Sequence, residues 1–127
     1  MKAWSPLLVN LEPPVNPDAL SDVRPLLDRL IKALGAAAAA RLLDVDRSMV
    51  TRWRRKAPIS REMARRIVDL HDVLSRALQV MQPRVLMDWL TGNNAHLGGA
   101  RPIDVLALRG AAPVIAALQA FEDLAYA

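Results

Sequence analysis

Cysteine is absent from this 127-residue chain. Disulfides and thiolate metal sites are therefore excluded, which fits a reducing, cytoplasmic location. No stretch approaches the roughly 20 apolar residues needed to cross a bilayer, so no membrane partner is expected. Met1-Lys2-Ala3-Trp4-Ser5-Pro6 leads into proline-broken sequence rather than the apolar run of a secretory leader. No segment alternates as a strand does, so every element is expected to be helical. His71 and His96 stand far apart with no carboxylate pattern beside them, which makes a metal or catalytic role unexpected. The loop "GNNAHLGG" lacks the lysine of a phosphate-binding loop and follows no strand, so it reads as a flexible connector. With no nucleophile, base and orienter set, the expectation is a protein without catalytic residues, cofactor or metal.

What the chain does contain is alanine and a local excess of positive charge. Hydrophobic residues make up 53%, but 21 of them are alanine, so the excess favours helix more than a large core. Residues 1–34 carry four bases and four acids, residues 35–66 nine and three, and residues 67–127 four and six. One short basic segment inside an otherwise balanced chain marks a polyanion binder, the alternative being a solvated helix face.

Residues 1–21 hold Pro6, Pro13, Pro14 and Pro17 and read as an arm or linker. Ser21 or Asp22 is expected to cap a helix whose stripe is Val23, Leu27, Leu30 and Leu34, ending at Gly35. "AAAAARLL" then gives a short helix, Ala36 to Leu43, whose small side chains admit a close neighbour. Asp46 is expected to cap a third helix from about Arg47 to Arg55, stopped by Ala57-Pro58. Ser60 is expected to cap a longer helix whose seam runs Met63, Ile67, Leu70, Leu74, Ala77 and Met81, broken at Pro83. That seam serves either as core or as a dimer zipper. Beyond it, Val85, Leu86, Trp89 and Leu90 share a short helix, Pro102 starts another through Leu108, and Pro113 starts the last, with Val114, Leu118, Phe121 and Ala125 on one face. Trp89 and Phe121 read as core. The division is an arm over 1–21, a DNA-binding unit over 22–81 and a C-terminal unit over 82–127. Residues 82–127 are too few to hold a large core alone, and gain stability on the first unit, a second copy or a partner.

The stretch "DVDRSMVTRWRRK", Asp44 to Lys56, places one of only three tryptophans in the densest run of bases. A helix-turn-helix accounts for it. Ala40 is small where the second helix crosses, Leu43 and Val45 flank the turn, and Val50 and Trp53 face inward. Arg47, Ser48, Thr51 and Arg52 are then expected to reach base edges in a major groove, and Arg54, Arg55, Lys56 and Arg61 to hold phosphates. The amides that open the Ala36 helix are a further phosphate site. Asp44 stands where glycine is common, and aspartate tolerates the left-handed backbone the turn needs.

From Gly35 to Ala127 the chain resembles the antitoxins of the Xre/MbcA/ParS type. The likeness rests on "SMVTRW" and on "MDWLTGNNAHLGGARPIDVLALRGAAPVIAALQAFEDLAYA". In the second stretch the matching positions are Trp89-Leu90, Asn94, Leu97-Gly98-Gly99, Pro102 to Leu106 and Gly110, and Asn93 departs from a common proline. The resemblance implies an all-α fold, with an Xre-like helix-turn-helix bundle followed by a small helical toxin-binding region. It also implies autorepression at operator DNA and blockade of a RES-type toxin that destroys NAD. Arg101, Asp104, Arg109 and the tail from Phe121 to Tyr126 are the candidate toxin contacts. A homodimer or a larger complex with toxin is expected, since paired half-sites mirror a two-fold protein. The rival readings are a stand-alone repressor and an interaction module that binds no DNA.

Overall fold

The structure, a computed structural model, describes residues 21–125; the proline-rich arm and Tyr126 lie outside them. The fold is all-α. After a 3-10 turn over Ser21–Val23 come α1 (Arg24–Leu34), α2 (Ala36–Leu43), α3 (Arg47–Arg54), α4 (Arg61–Ala77), α5 (Pro83–Thr91), α6 (Pro102–Arg109) and α7 (Ala111–Ala125). A second 3-10 turn, Ala95–Leu97, sits between α5 and α6.

The long helix α4 is the axis of the molecule. It packs against α1 and α2 on one side and α6 and α7 on the other. Its seam explains why. Ile67, Leu70, Leu74 and Ala77 are buried, and Ala64 and Val73 widen the stripe, so both halves find apolar surface on one helix. The heptad-like spacing is thus used inside the chain. Leu27, Leu30, Val50 and Trp53 share one buried cluster with Leu86, Leu90, Leu106 and Leu118. The C-terminal helices therefore bury their apolar side chains on the rest of the chain.

The helix starts and stops follow local chemistry. Ser60 Oγ accepts the Met63 N–H at 3.1 Å and caps α4, a contact worth about 1 kcal/mol. Gly35, at φ 91°, ends α1 by donating its N–H to the Ile31 carbonyl at 2.7 Å. Three boundaries differ from the sequence expectation. Neither Ser21 nor Asp22 caps α1: they form the 3-10 turn, and Val23 precedes the helix without a side-chain cap. The helix α4 ends at Ala77 rather than Met81, because Val80 and Met81 both donate to the Ala77 carbonyl in a tight turn. That turn folds Met81 back into the core, so the spacing holds without the helix. The helix α7 begins at Ala111, not Pro113, since a proline in the first helical turn lacks an N–H that would have no partner there anyway.

The connector at 92–100 is tied rather than loose. Asn94 accepts the Gly99 N–H at 2.8 Å and donates its own N–H to the Ala100 carbonyl at 3.0 Å. Asn93 Nδ2 donates to the Gly99 carbonyl at 2.7 Å.

Candidate nucleic-acid interface

The turn between α2 and α3 forms without glycine. Asp44 adopts the left-handed conformation, φ 57° and ψ 47°. The Val45 N–H donates to the Ala40 carbonyl at 3.0 Å and the Asp44 N–H to the Arg41 carbonyl at 3.2 Å. These two bonds close the end of α2 and set where α3 departs. Ala40 is buried, as a close crossing of two helices requires.

Asp46 then opens α3. Its carboxylate accepts the Ser48 N–H at 3.1 Å and the Ser48 hydroxyl as well. Those bonds, the hydroxyl's first, hold the Asp46 pKa below its ordinary 3.8, with Arg52 adding to the effect.

Helical period decides what faces outward. Val50 and Trp53, three apart, are 1% and 4% exposed. Arg47, Ser48, Thr51, Arg52, Arg54, Arg55 and Lys56 are all exposed. The indole thus fills the core while the bases around it meet solvent. Burying an arginine without a partner is costly, so this partition is the cheap one. Arg61 is also exposed, at the start of α4.

Several of these side chains already have internal partners. The Ser48 hydroxyl is bound to Asp46, and the Thr51 hydroxyl donates to the Arg47 carbonyl at 3.3 Å. Arg54 pairs with Asp28 of α1 at 3.3 Å, both half in solvent. Arg52 rests on the sulfur of Met49. Among the described residues Arg47, Arg55 and Lys56 form no ion pair. The hydroxyls of Ser48 and Thr51 must exchange a bond to donate to a ligand, though both can still accept one, whereas Arg47 and Arg52 need only turn.

Arg24 escaped the sequence reading. Half-buried at the first position of α1, it donates Nε to the Trp53 carbonyl at 2.8 Å and Nη2 to the Ala57 carbonyl. Lys56, expected as a phosphate contact, also belongs to this end of α3. It sits at φ 76°, with Ala57 N–H donating to the Arg52 carbonyl and Lys56 N–H to the Trp53 carbonyl. No sequence period marks Arg24, because its partners are backbone carbonyls 29 and 33 residues away.

At the other end of the molecule, Arg101 grips Asp104 through two bonds, 2.8 and 2.9 Å. The Arg101 hydrogen bond holds the Asp104 carboxyl below its ordinary pKa. Arg109 is exposed. Phe121 is half-buried and meets Trp89 edge-on, with 6.5 Å between ring centroids. Its face is therefore partly spent inside the fold. Leu108 and Leu124, at 85% and 79% exposed, are the conspicuous outward apolar side chains there. The sequence reading did not single them out. Leu108 stands two residues past buried Leu106, on the opposite side of α6, and Leu124 stands in the last turn of α7, beyond buried Ala117 and Leu118.

Among the described residues, no three or more histidine, aspartate or glutamate side chains gather as metal ligands, and no helix is long and apolar enough to cross a membrane. Compared with models of protein families, with curated proteins and with solved structures, the chain matches none.

Proposed function

We propose that α2, its turn and α3 form a DNA-binding helix-turn-helix, and that the chain is an antitoxin that represses its own operon and blocks a RES-type toxin. The observation that carries the DNA reading is the partition on α3. Val50 and Trp53 are buried while seven polar positions from Arg47 to Lys56 are exposed on a helix eight residues long with its end. A helix so anchored offers guanidinium groups to base edges and phosphates at once. The net +6 of residues 35–66 supplies the attraction.

The antitoxin part rests on the resemblance of the C-terminal stretch, supported by the outward Leu108 and Leu124. In this reading Arg101, Asp104, Arg109, Phe121 and Tyr126 belong to the toxin-facing side, and the complex contains at least two copies of the chain.

Two experiments test it. Binding to duplex DNA from upstream of the chain's own reading frame should fall steeply as salt rises. Arg52→Ala should cost about 1–3 kcal/mol and relax base preference, while Arg54→Ala should lower the salt slope by about one. If neither variant changes binding to any duplex, the DNA reading fails. Coexpression with the adjacent reading frame should relieve a growth arrest that the neighbour causes alone. A harmless neighbour would leave a stand-alone repressor.

A further inference from the structure

Arg24 stands half-buried at the first position of α1, where a cation works against the dipole of its own helix. Its side chain turns instead to the end of α3, where the dipole has the opposite sign and helix carbonyls lack partners. Nε donates to the Trp53 carbonyl at 2.8 Å and Nη2 to the Ala57 carbonyl. These carbonyls lie on either side of a break in the chain. The helix α3 ends at Arg54, Lys56 takes φ 76°, and Pro58 brings no N–H to continue the helix.

That bracket restrains what the apolar contacts leave loose. Val50 and Trp53 decide which face of α3 turns inward, but apolar contact is non-directional. It leaves an eight-residue helix able to tilt and its last turn able to fray. The Asp28–Arg54 pair joins the same two helices with both side chains about half exposed, which makes it a weak tie. A guanidinium is a rigid planar fork, so bonding carbonyls four residues apart fixes their separation and direction together. Arg52, Arg54, Arg55 and Lys56 all lie within or beside the bracketed stretch, and all four are exposed.

We infer that Arg24 is a positioning residue for DNA recognition, acting through those carbonyls rather than through a contact of its own with the duplex. It holds the end of α3 in the pose from which Arg52 reaches a base and Arg54, Arg55 and Lys56 reach phosphates. The inference rests on the DNA reading of α3 and deepens it. The order Arg24 imposes is in place before DNA arrives, so less conformational freedom is lost on binding. Without the fork, the tie between Ala57 and α1 is gone, and the four cations start from a spread of poses.

The test uses the full chain, the duplex from upstream of its reading frame, and the variants Arg24→Gln and Arg24→Lys. Circular dichroism checks that each is folded, and if Arg24→Gln is not, Arg24→Lys carries the test. Hydrogen exchange at the Lys56 and Ala57 amides, which close the turn after α3, should run about tenfold faster in Arg24→Gln, while amides in the middle of α4 keep their rates. Duplex affinity should fall about tenfold, and discrimination against a duplex with one altered base pair should fall with it. Arg24→Lys keeps the charge without the fork and should show the same losses, in smaller degree. Leu118→Val, a remote core change, should leave discrimination intact. Unchanged exchange at Lys56 and Ala57 overturns the inference whatever the duplex does. So does full discrimination in Arg24→Gln, or an equal loss of it in Leu118→Val. Fast exchange with undiminished duplex binding in Arg24→Lys also overturns it, by assigning the effect to charge alone. A wild-type chain that binds no duplex sinks the DNA reading itself. Where the wild type binds and Arg52→Ala is impaired, the same negative results sink only the role of Arg24.

Discussion

Trp53 on α3 is 4% exposed, while Leu124 on α7 is 79% exposed. Both are large apolar side chains on surface helices of one small bundle. The difference lies in their neighbours. On α3, arginines occupy the remaining faces, and each resists burial, so Val50 and Trp53 have only one direction left. On α7, the sequence from Ala111 to Ala125 carries just Gln119, Glu122 and Asp123 as polar side chains beyond the backbone. Alanine and leucine run round most of the helix, and packing against α4 and α6 chooses the inner face. What remains outside is apolar. Charge thus fixes the orientation of α3 from within its own sequence, whereas α7 takes its orientation from its partners. The first face suits a polyanion and the second suits another apolar surface.

The largest expected effect tests whether these two regions are energetically one. Trp53→Ala should cost about 3–5 kcal/mol, and Leu118→Ala about 2–5 kcal/mol. Both residues sit in the same buried cluster. Each variant should therefore keep a single urea transition by circular dichroism, shifted to lower denaturant. Two separated transitions in Trp53→Ala would show that α5 to α7 hold together without the basic half.

A smaller effect sharpens the comparison at the end of α3. Lys56 holds a left-handed backbone that glycine adopts without strain. Lys56→Gly should raise stability by about 1 kcal/mol and lower the salt slope of DNA binding by about one. A gain in stability with unchanged DNA binding would remove Lys56 from the interface. Asp28→Asn is the counterpart, because it frees Arg54 without touching α3. It should tighten DNA binding and steepen its salt dependence; weaker binding would mean that the pair positions Arg54.

Two carboxyl groups, one opening α3 and one on α4, also differ in their response to acid. Ser48 lowers the Asp46 pKa, so the Asp46 contribution is present above 3.8 and is lost as pH falls through the depressed folded value. Burial raises the pKa of Asp69, on the α4 side that faces α6. Its contribution runs the other way, present below 3.8 and lost as pH rises through the elevated folded value. Asp46→Asn keeps an N-cap acceptor and should flatten the loss of thermal stability on the acid side. Asp69→Asn should stabilise more at pH 7 than in acid. Melting curves across pH that are parallel to the wild type in both variants would contradict these assignments.

Legibility follows the same division. Residues 36–56 could be read closely: the bounds of α2, the Asp46 cap, the inward Trp53 and the left-handed Asp44 are all as their side chains demand. The caps and the turn are contacts within a few residues, and the inward facing of Trp53 follows from the helical period against the bases beside it. What escaped the sequence depends on distant partners. Arg24 bonds carbonyls beyond α3, and Arg66 lines a cavity built from three helices. The seam on α4 was visible as a period, but not its early end, because Met81 remains in the core on either side of the turn. Leu108 and Leu124 were hidden by their type, since an apolar residue in an apolar stretch gives no sign of facing out.

That last point yields the smallest expected effect on stability. Leu108 and Leu124 lose little solvent exposure on folding, so Leu108→Ser and Leu124→Ser should each change unfolding free energy by no more than about 0.5 kcal/mol. If the outward face of α6 and α7 meets a partner, the same variants should still weaken that complex, because a leucine buried at an interface contributes through the area it removes from water. Arg52→Ala should leave that complex unchanged, as Leu124→Ser should leave DNA binding unchanged. Loss of both activities in one variant with normal stability would show that the two surfaces are coupled, and the contrast between α3 and α7 would then describe one binding event rather than two.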